Sequence, residues 1–336
     1  MKLGVIMPRI FVVPVENLVI DNPFRMGKMV IYPAVIDSDI CNSWNEQNNG
    51  IKKQDNEYYC NIINKINSKF RGNTAEVYIM YLDAYDYDKC DTLQKQFWYC
   101  DSICNFAINA LNYLILSECV LGVFEQLPGL PGMNSQGIKV VYTFYPTEDP
   151  ENEIEIISGK VASELRTGIG CYPSIDFGEE DYDSTWYKIL YSENIDNEVQ
   201  KICKTALEKI CKAFYITDFN ICFTYLWTIL ESIASDEYLK FKKVKSRILP
   251  FISRDKKEYH DKGEWLRNLS ESTRTNIIHN GISIYELYET EAEVLQVLRE
   301  LQSVIMTYVE NIYATNITNL DDLEKKRTEL IKYLGV

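Results

Sequence analysis

Residues 272 to 281 read STRTNIIHNG, placing Arg274 five positions before His279, one of only two histidines in 336 residues. Those residue types suit one reaction. Metal-free RNA cleavage needs the 2′-hydroxyl deprotonated, the leaving 5′-oxygen protonated and the charge on the phosphorus-centred transition state neutralised. An imidazole moves protons near neutral pH, and a guanidinium presents a planar fork of donors matched to phosphate oxygens. Five residues turn an ideal helix by about 140°. The two side chains therefore meet within one chain only if the last turn is distorted, whereas a second copy of the helix packed alongside gives them a shared groove. The plain alternative is that Arg274 pairs with Glu271 at i, i+3 and His279 merely ends a helix.

The elements that must position these residues lie in the second half of the chain. From about Asn197, Pro almost disappears and apolar residues recur at helical spacing. NEVQKICKTALEKICKAFYI carries a stripe of Ile202, Ala206, Ile210, Ala213 and Phe214. Asp218 or Asn220 is placed to cap NICFTYLWTILESIASDEYL, which is apolar nearly all round and is expected at the centre. Further helices are expected over KVKSRILPFI, from about Glu264 to His279, from about Ile284 to Tyr313, and over LDDLEKKRTELIKYL. Gly281 sits where a left-handed C′ residue belongs and Asn280 where the cap does, which puts His279 in the last helical turn. An antiparallel bundle over 195–336 follows from these lengths and short connections.

The first half differs in texture. GVIMPRIFVVPV, KMVIYPAVI, AEVYIMYL, IKVVYTFY and EIEIIS are rich in Val, Ile and Tyr and bounded by turn formers, the signature of strands. NEYYCNIINKINSKF and residues 93 to 124 are long enough for helices, LPGLPGMNSQG reads as a loop, and an acidic connector spans 176–187. The chain is expected to be α+β: a mixed α/β domain over 1–190, then an all-α bundle.

Charge follows the same division. Of the 35 Lys and Arg and 49 Asp and Glu, residues 1–194 hold 15 and 27, and residues 195–336 hold 20 and 22. A net charge of −14 argues against a general nucleic-acid coat protein. The exception is local: Lys240, Lys242, Lys243, Lys245, Arg247, Arg254, Lys256 and Lys257 share 240–257 with one acid, Asp255. This run is a solvated face or a phosphate track towards Arg274. Ten cysteines without a CxxC pair read as reduced packing groups, and two histidines make a histidine-rich metal site unattractive. The Asp83, Asp86, Asp88 and Asp91 cluster lacks the glycine and terminal glutamate of a calcium loop and reads as solvated acids. It is equally poor as the acidic metal triad that nucleotide transfer would need. GKVASEL lacks phosphate-loop spacing, the glycines of ELRTGIGCYP read as a turn, and His260 reads as exposed in a charged loop. Neither an amino-terminal signal pattern nor a run apolar enough to span a bilayer is seen, so a cytoplasmic protein without membrane contact is expected.

TRTNIIHNG, preceded by FTYLWTILESI and KVKSRILPFI, resembles the HEPN superfamily, and most of all its ApeA-like branch. The family is marked by an arginine followed four to six residues later by a histidine, and by an earlier core helix with a glutamate after leucine. Arg274, His279 and Glu231 match these marks, and the likeness covers about 197–335. It implies a homodimeric endoribonuclease that uses no metal or other cofactor, with paired Arg/His sites in the dimer cleft, acting as a toxin or an anti-phage abortive-infection effector. The RNA could be transfer, messenger or ribosomal, DNA is not expected, and an antitoxin or defence protein is a possible partner. Active members usually carry Asn, Asp or His after the arginine; here Thr275 stands there, followed by Asn276. The site expected from both lines is Arg274, His279, Glu231, Thr275 and Asn280, with Lys242, Lys243, Lys245 and Arg247 on the RNA path. The rival expectation is a non-catalytic dimerisation or adaptor module of the same fold.

Overall fold

The computed structural model describes residues 9–20, 22–35, 53–69, 75–83, 90–134, 138–144, 155–160, 171–175, 179–192, 197–235 and 240–336. Cys41, Asp86, Asp88 and residues 161–170, which include most of GKVASEL and the glycines of ELRTGIGCYP, lie outside the described residues. The protein is α+β, with its strands in the amino-terminal half and a helical carboxy-terminal part. Two compact units divide it: Met1–Cys119 with Glu125–Ser184, and Val120–Phe124 with Thr185–Val336.

The first unit is built on an antiparallel sheet in the order β3-β4-β5-β1-β6-β7. Its strands are β1 (Arg9–Val15), β3 (Phe24–Met26), β4 (Met29–Pro33), β5 (Val77–Asp83), β6 (Ile138–Phe144) and β7 (Glu155–Lys160). Five of these coincide with the runs that the sequence marks as strands. β2 (Leu18–Ile20) and β8 (Cys171–Ile175) form a separate parallel pair, so the residues just after the glycines of ELRTGIG are strand rather than turn. β1 is buried on both faces. Ile10 and Val12 pack with Tyr32, Tyr78 and Ile63 and Ile66 of α1 (Lys53–Lys69). Phe11, pointing the other way, lies 6.2 Å from Tyr99 of α2 (Leu93–Ala107). A strand covered on both sides has no polar face to alternate, which is why RIFVV reads as a continuous apolar run. After α2 the chain makes a single 3₁₀ turn and then α3 (Asn112–Glu118), so the helical stretch ends six residues before position 124. In the loop that follows, Gly132 has φ +78°, and a Cβ there would collide with the Cys104 Sγ. α4 (Glu179–Asp183) closes this unit.

The second unit begins with α5 (Thr185–Tyr191), whose buried Ile189 and Leu190 seat it against the helices that follow. The unit boundary at Ser184/Thr185 lies six residues before the end of the domain expected over 1–190. α6 (Glu198–Ala213), α7 (Phe219–Ala234), α8 (Phe241–Ile252), α9 (Lys256–Asn268), α10 (Thr275–Asn280), α11 (Ile284–Leu287), α12 (Glu291–Ala314) and α13 (Leu320–Leu334) complete it. Asn197 caps α6, and Asp218 caps α7 by accepting from the backbone N–H groups of Asn220 and Ile221. α7 buries Phe223, Leu226, Trp227 and Leu230, with Trp227 against Phe241 at 4.8 Å between ring centroids. It is not buried all round: Ile221 is 57% exposed.

Two boundaries differ from the sequence reading. The helix expected from Glu264 starts at Lys256, where the Asp255 carboxylate accepts the Glu258 N–H, so His260 lies on an exposed helical face and not in a loop. The helix expected from Ile284 to Tyr313 breaks at Tyr288–Thr290, where Thr290 and Glu293 form a capping box. Eight cysteine side chains are described, and seven of them are buried. Burial pushes Cys203 and Cys222 up to about 12, so they pack as neutral groups. Among the described residues, no helix is long and apolar enough to cross a membrane.

Candidate active site

α9 does not end at Asn268. The chain continues through one π-helical segment, Leu269–Arg274, into α10, forming one helical rod from Lys256 to Asn280. The wide segment is held by its own side chains: Thr275 Oγ1 donates to the Ser270 carbonyl five residues back at 2.9 Å. Thr273, buried at the inner side, shares a hydrogen bond of 2.8 Å with the Tyr288 hydroxyl. Such bulges re-phase a helix and recur at functional sites. In the wider turn, Glu271 and Arg274 no longer stack one above the other.

Arg274 turns instead to α7. Its Nη2 lies 3.4 Å from Glu231 Oε1, an ion-pair distance rather than a hydrogen bond. The same Glu231 oxygen accepts a hydrogen bond of 2.9 Å from Trp227 Nε1, one helical turn earlier. Arg274 thus pairs with Glu231 and not with Glu271, the partner in the plain alternative. Both partners remain about a quarter to a third open to solvent, at 25% and 30% of their side chains. Arg274 Nε is buried and has no hydrogen-bond partner.

His279 occupies the last turn of α10 and is exposed. Gly281 ends the helix in the left-handed region at φ 66°, as its type and position predict, and both Gly281 N–H and Ile282 N–H go to the Asn276 carbonyl. Asn280 Nδ2 donates to Asn276 Oδ1 at 2.8 Å, which stiffens the terminus beside the imidazole. Arg274 and His279 are separated by ordinary α-helix, so the distortion that could have brought them together lies before Arg274 and not between the two. Within one chain they face different directions, Arg274 towards α7 and His279 towards solvent. Thr275 spends its proton on the Ser270 carbonyl, so it shapes the segment and offers a substrate no donor.

The basic residues divide into two kinds. Lys242 and Lys243 are exposed on α8. Lys245 Nζ donates to the Gly263 carbonyl of α9 at 3.2 Å, and Arg247 Nη1 to the Ala234 carbonyl at the end of α7 at 2.9 Å; both tie helices together. Lys256 likewise reaches the Gly335 carbonyl, and Arg254 bonds Glu258. Burial, and after it the charge of Arg267, lowers the Lys245 pKa. Arg267 is exposed on the same rod as Arg274, and with Lys242 it acts electrostatically on Lys245. Arg267 escaped the sequence reading because it lies outside the run at 240–257. Trp227 escaped as well; its signal is the i, i+4 spacing to Glu231. Among the described residues no group of three or more His, Cys, Asp or Glu could hold a metal ion.

Comparison with protein-family models, with curated proteins and with solved structures gives no match for this chain.

Proposed function

We propose that the protein is a metal-independent endoribonuclease of HEPN type, acting in the cytoplasm as a toxin or abortive-infection effector, with Arg274 and His279 drawn into one cleft by a two-fold pair of chains. The observation that carries this reading is the Trp227–Glu231–Arg274 chain. It fixes a guanidinium at the surface with part of its fork still open, one helical stretch from an exposed imidazole. A guanidinium so held stabilises the dianionic phosphorane without having to reorganise, and His279 supplies the proton transfer. The two-fold axis sets the His279 of one chain against the Arg274 of the other, so a dimer holds two cross-chain sites.

The test uses mixed dimers. Co-purified chains carrying Arg274→Ala and His279→Ala respectively leave one cross-chain site with both groups intact. They are expected to recover up to about half of wild-type cleavage, where each variant alone has none. No recovery from a verified mixed dimer sinks the shared cleft.

A second reading, a non-catalytic dimerisation or adaptor module, is favoured by the exposed apolar side chains of the same unit. Ile221, Ile278 and Tyr285 are 57%, 42% and 51% exposed. It predicts a dimer in which both variants and the wild type leave RNA intact.

A further inference from the structure

Within the helical unit, a cavity of about 450 Å³ opens where the end of α7 meets α8, α12 and α13. Its size falls in the range of small-molecule sites, about 300–1,000 Å³. Two guanidiniums line it. Arg327 is 5% exposed, with Nε on the Arg247 carbonyl at 3.0 Å, Nη1 on Glu324, and its plane over Phe251. Arg247 spends Nη1 on the Ala234 carbonyl and has no carboxylate partner among the described residues. Among the described residues its charge is met by that peptide dipole. Tyr308 lines the same wall, is fully buried, and its hydroxyl makes no hydrogen bond even though the Arg327 guanidinium stands beside it.

A cation without a carboxylate partner among the described residues and a buried hydroxyl without a partner each cost stability when left against an empty cavity. Burial and the repulsion of Arg247 act against the charged form of Arg327, with Tyr308 acting the other way. One anion would answer all three groups. Their donors come from three different helices, which suits the three outward oxygens of a tetrahedral phosphate better than a planar carboxylate. At the rim stand two exposed acids, Asp321 and Glu324, in the first turns of α13. Carboxylates there would repel a free polyanion but accept hydrogen bonds from hydroxyl groups.

We infer that this cavity binds a small sugar phosphate, its phosphate monoester on Arg247, Arg327 and Tyr308 and its hydroxyls towards Asp321 and Glu324. The inference does not depend on the nuclease reading: Arg247, expected on the RNA path, is bound to the Ala234 carbonyl and lines this cavity instead. It uses the full chain. Ribose 5-phosphate, adenosine 5′-monophosphate and inorganic phosphate are titrated calorimetrically into wild type, Arg247→Gln and Tyr308→Phe. At least one ester is expected to bind, and more tightly than inorganic phosphate. Arg247→Gln should weaken it by about tenfold or more, the size of a charge-assisted bond. Tyr308→Phe removes only the unpartnered hydroxyl, so it should weaken binding about threefold while leaving the melting temperature of the free protein unchanged or higher. No binding of either ester, binding unchanged in both variants, or inorganic phosphate binding as tightly as the esters (an adventitious ion only) would each overturn the assignment.

Discussion

Glu231 of α7 and Arg274 at the end of the π segment meet 3.4 Å apart across two helices, with the Glu231 carboxylate oriented by Trp227. The pair is about a quarter to a third open to solvent and only at ion-pair distance, so its Coulombic worth is small, below about 1 kcal/mol. Its geometric worth is larger. Glu231→Gln keeps an acceptor for Trp227 and should cost under about 1 kcal/mol in urea unfolding. Glu231→Ala strands the buried indole N–H and should cost about 1–3 kcal/mol. Both should lower RNA cleavage, because both free Arg274 from its anchor. Cleavage unchanged in Glu231→Ala would show that the pair is only structural.

Gly281 ends α10 at φ 66° with nothing within 4 Å of where a Cβ would stand. Gly281→Ala therefore meets no other group, and its cost is the left-handed backbone itself, which sets Cβ against the following carbonyl oxygen, about 1–2 kcal/mol. Gly281→Asn should cost less, because asparagine tolerates this conformation. Thermal unfolding of the two variants ranks them; equal stability of all three proteins would contradict the left-handed terminus.

Three of the four cations expected on the RNA path should separate in two assays. Replacing Lys242 and Lys243 together by Ala should leave stability alone and reduce the salt slope of RNA binding by about 1.4 for single strands. Replacing Lys245 by Ala removes a tie between α8 and α9 and should cost about 1 kcal/mol in stability. If the double variant binds RNA with the wild-type salt slope, the track carries no phosphate.

Glu258 sits at the start of α9, where Lys262, the Arg254 backbone N–H and the Arg254 guanidinium hold its carboxyl down at about 2. In the unfolded chain it titrates near 4.3. A depressed folded value means stability that is fully present above about pH 4.3 and lost as pH falls through about 2. Glu258→Gln should thus be less stable than wild type at pH 7, by no more than about 1 kcal/mol for so exposed a group. The difference should shrink between pH 4 and 2. A gap that persists at pH 2 would place its cause elsewhere.

How far the sequence was legible depended on how strongly each element patterned its apolar residues. α6, α7 and α13 bury regular stripes, and their caps Asn197, Asp218 and Asn319 stand where side-chain chemistry puts them. α9 was missed over its first two turns because DKKEYHDKGEW offers almost no apolar stripe; its buried residues are Gly263 and Leu266, and the helix is held by Asp255, Glu258 and Lys262. The break before α12 was written in TEAE, a capping box that the apolar period on either side obscured. The π segment has no periodicity to announce it. Arg274, His279 and Glu231 could be singled out by residue type, but which of them pair depended on that one wide turn. β2, β3 and β8 are three to five residues each, too short to show a period.

The central claim, that Arg274 and His279 cut RNA without a metal, is met most directly by incubating wild type, Arg274→Ala and His279→Ala with total cellular RNA in EDTA and mapping the fragment ends. All three are first confirmed as folded dimers. Cleavage by wild type alone, leaving 2′,3′-cyclic phosphate and 5′-hydroxyl ends, is the expected result. Equal cleavage by wild type and His279→Ala, or intact RNA in every tube, would contradict it.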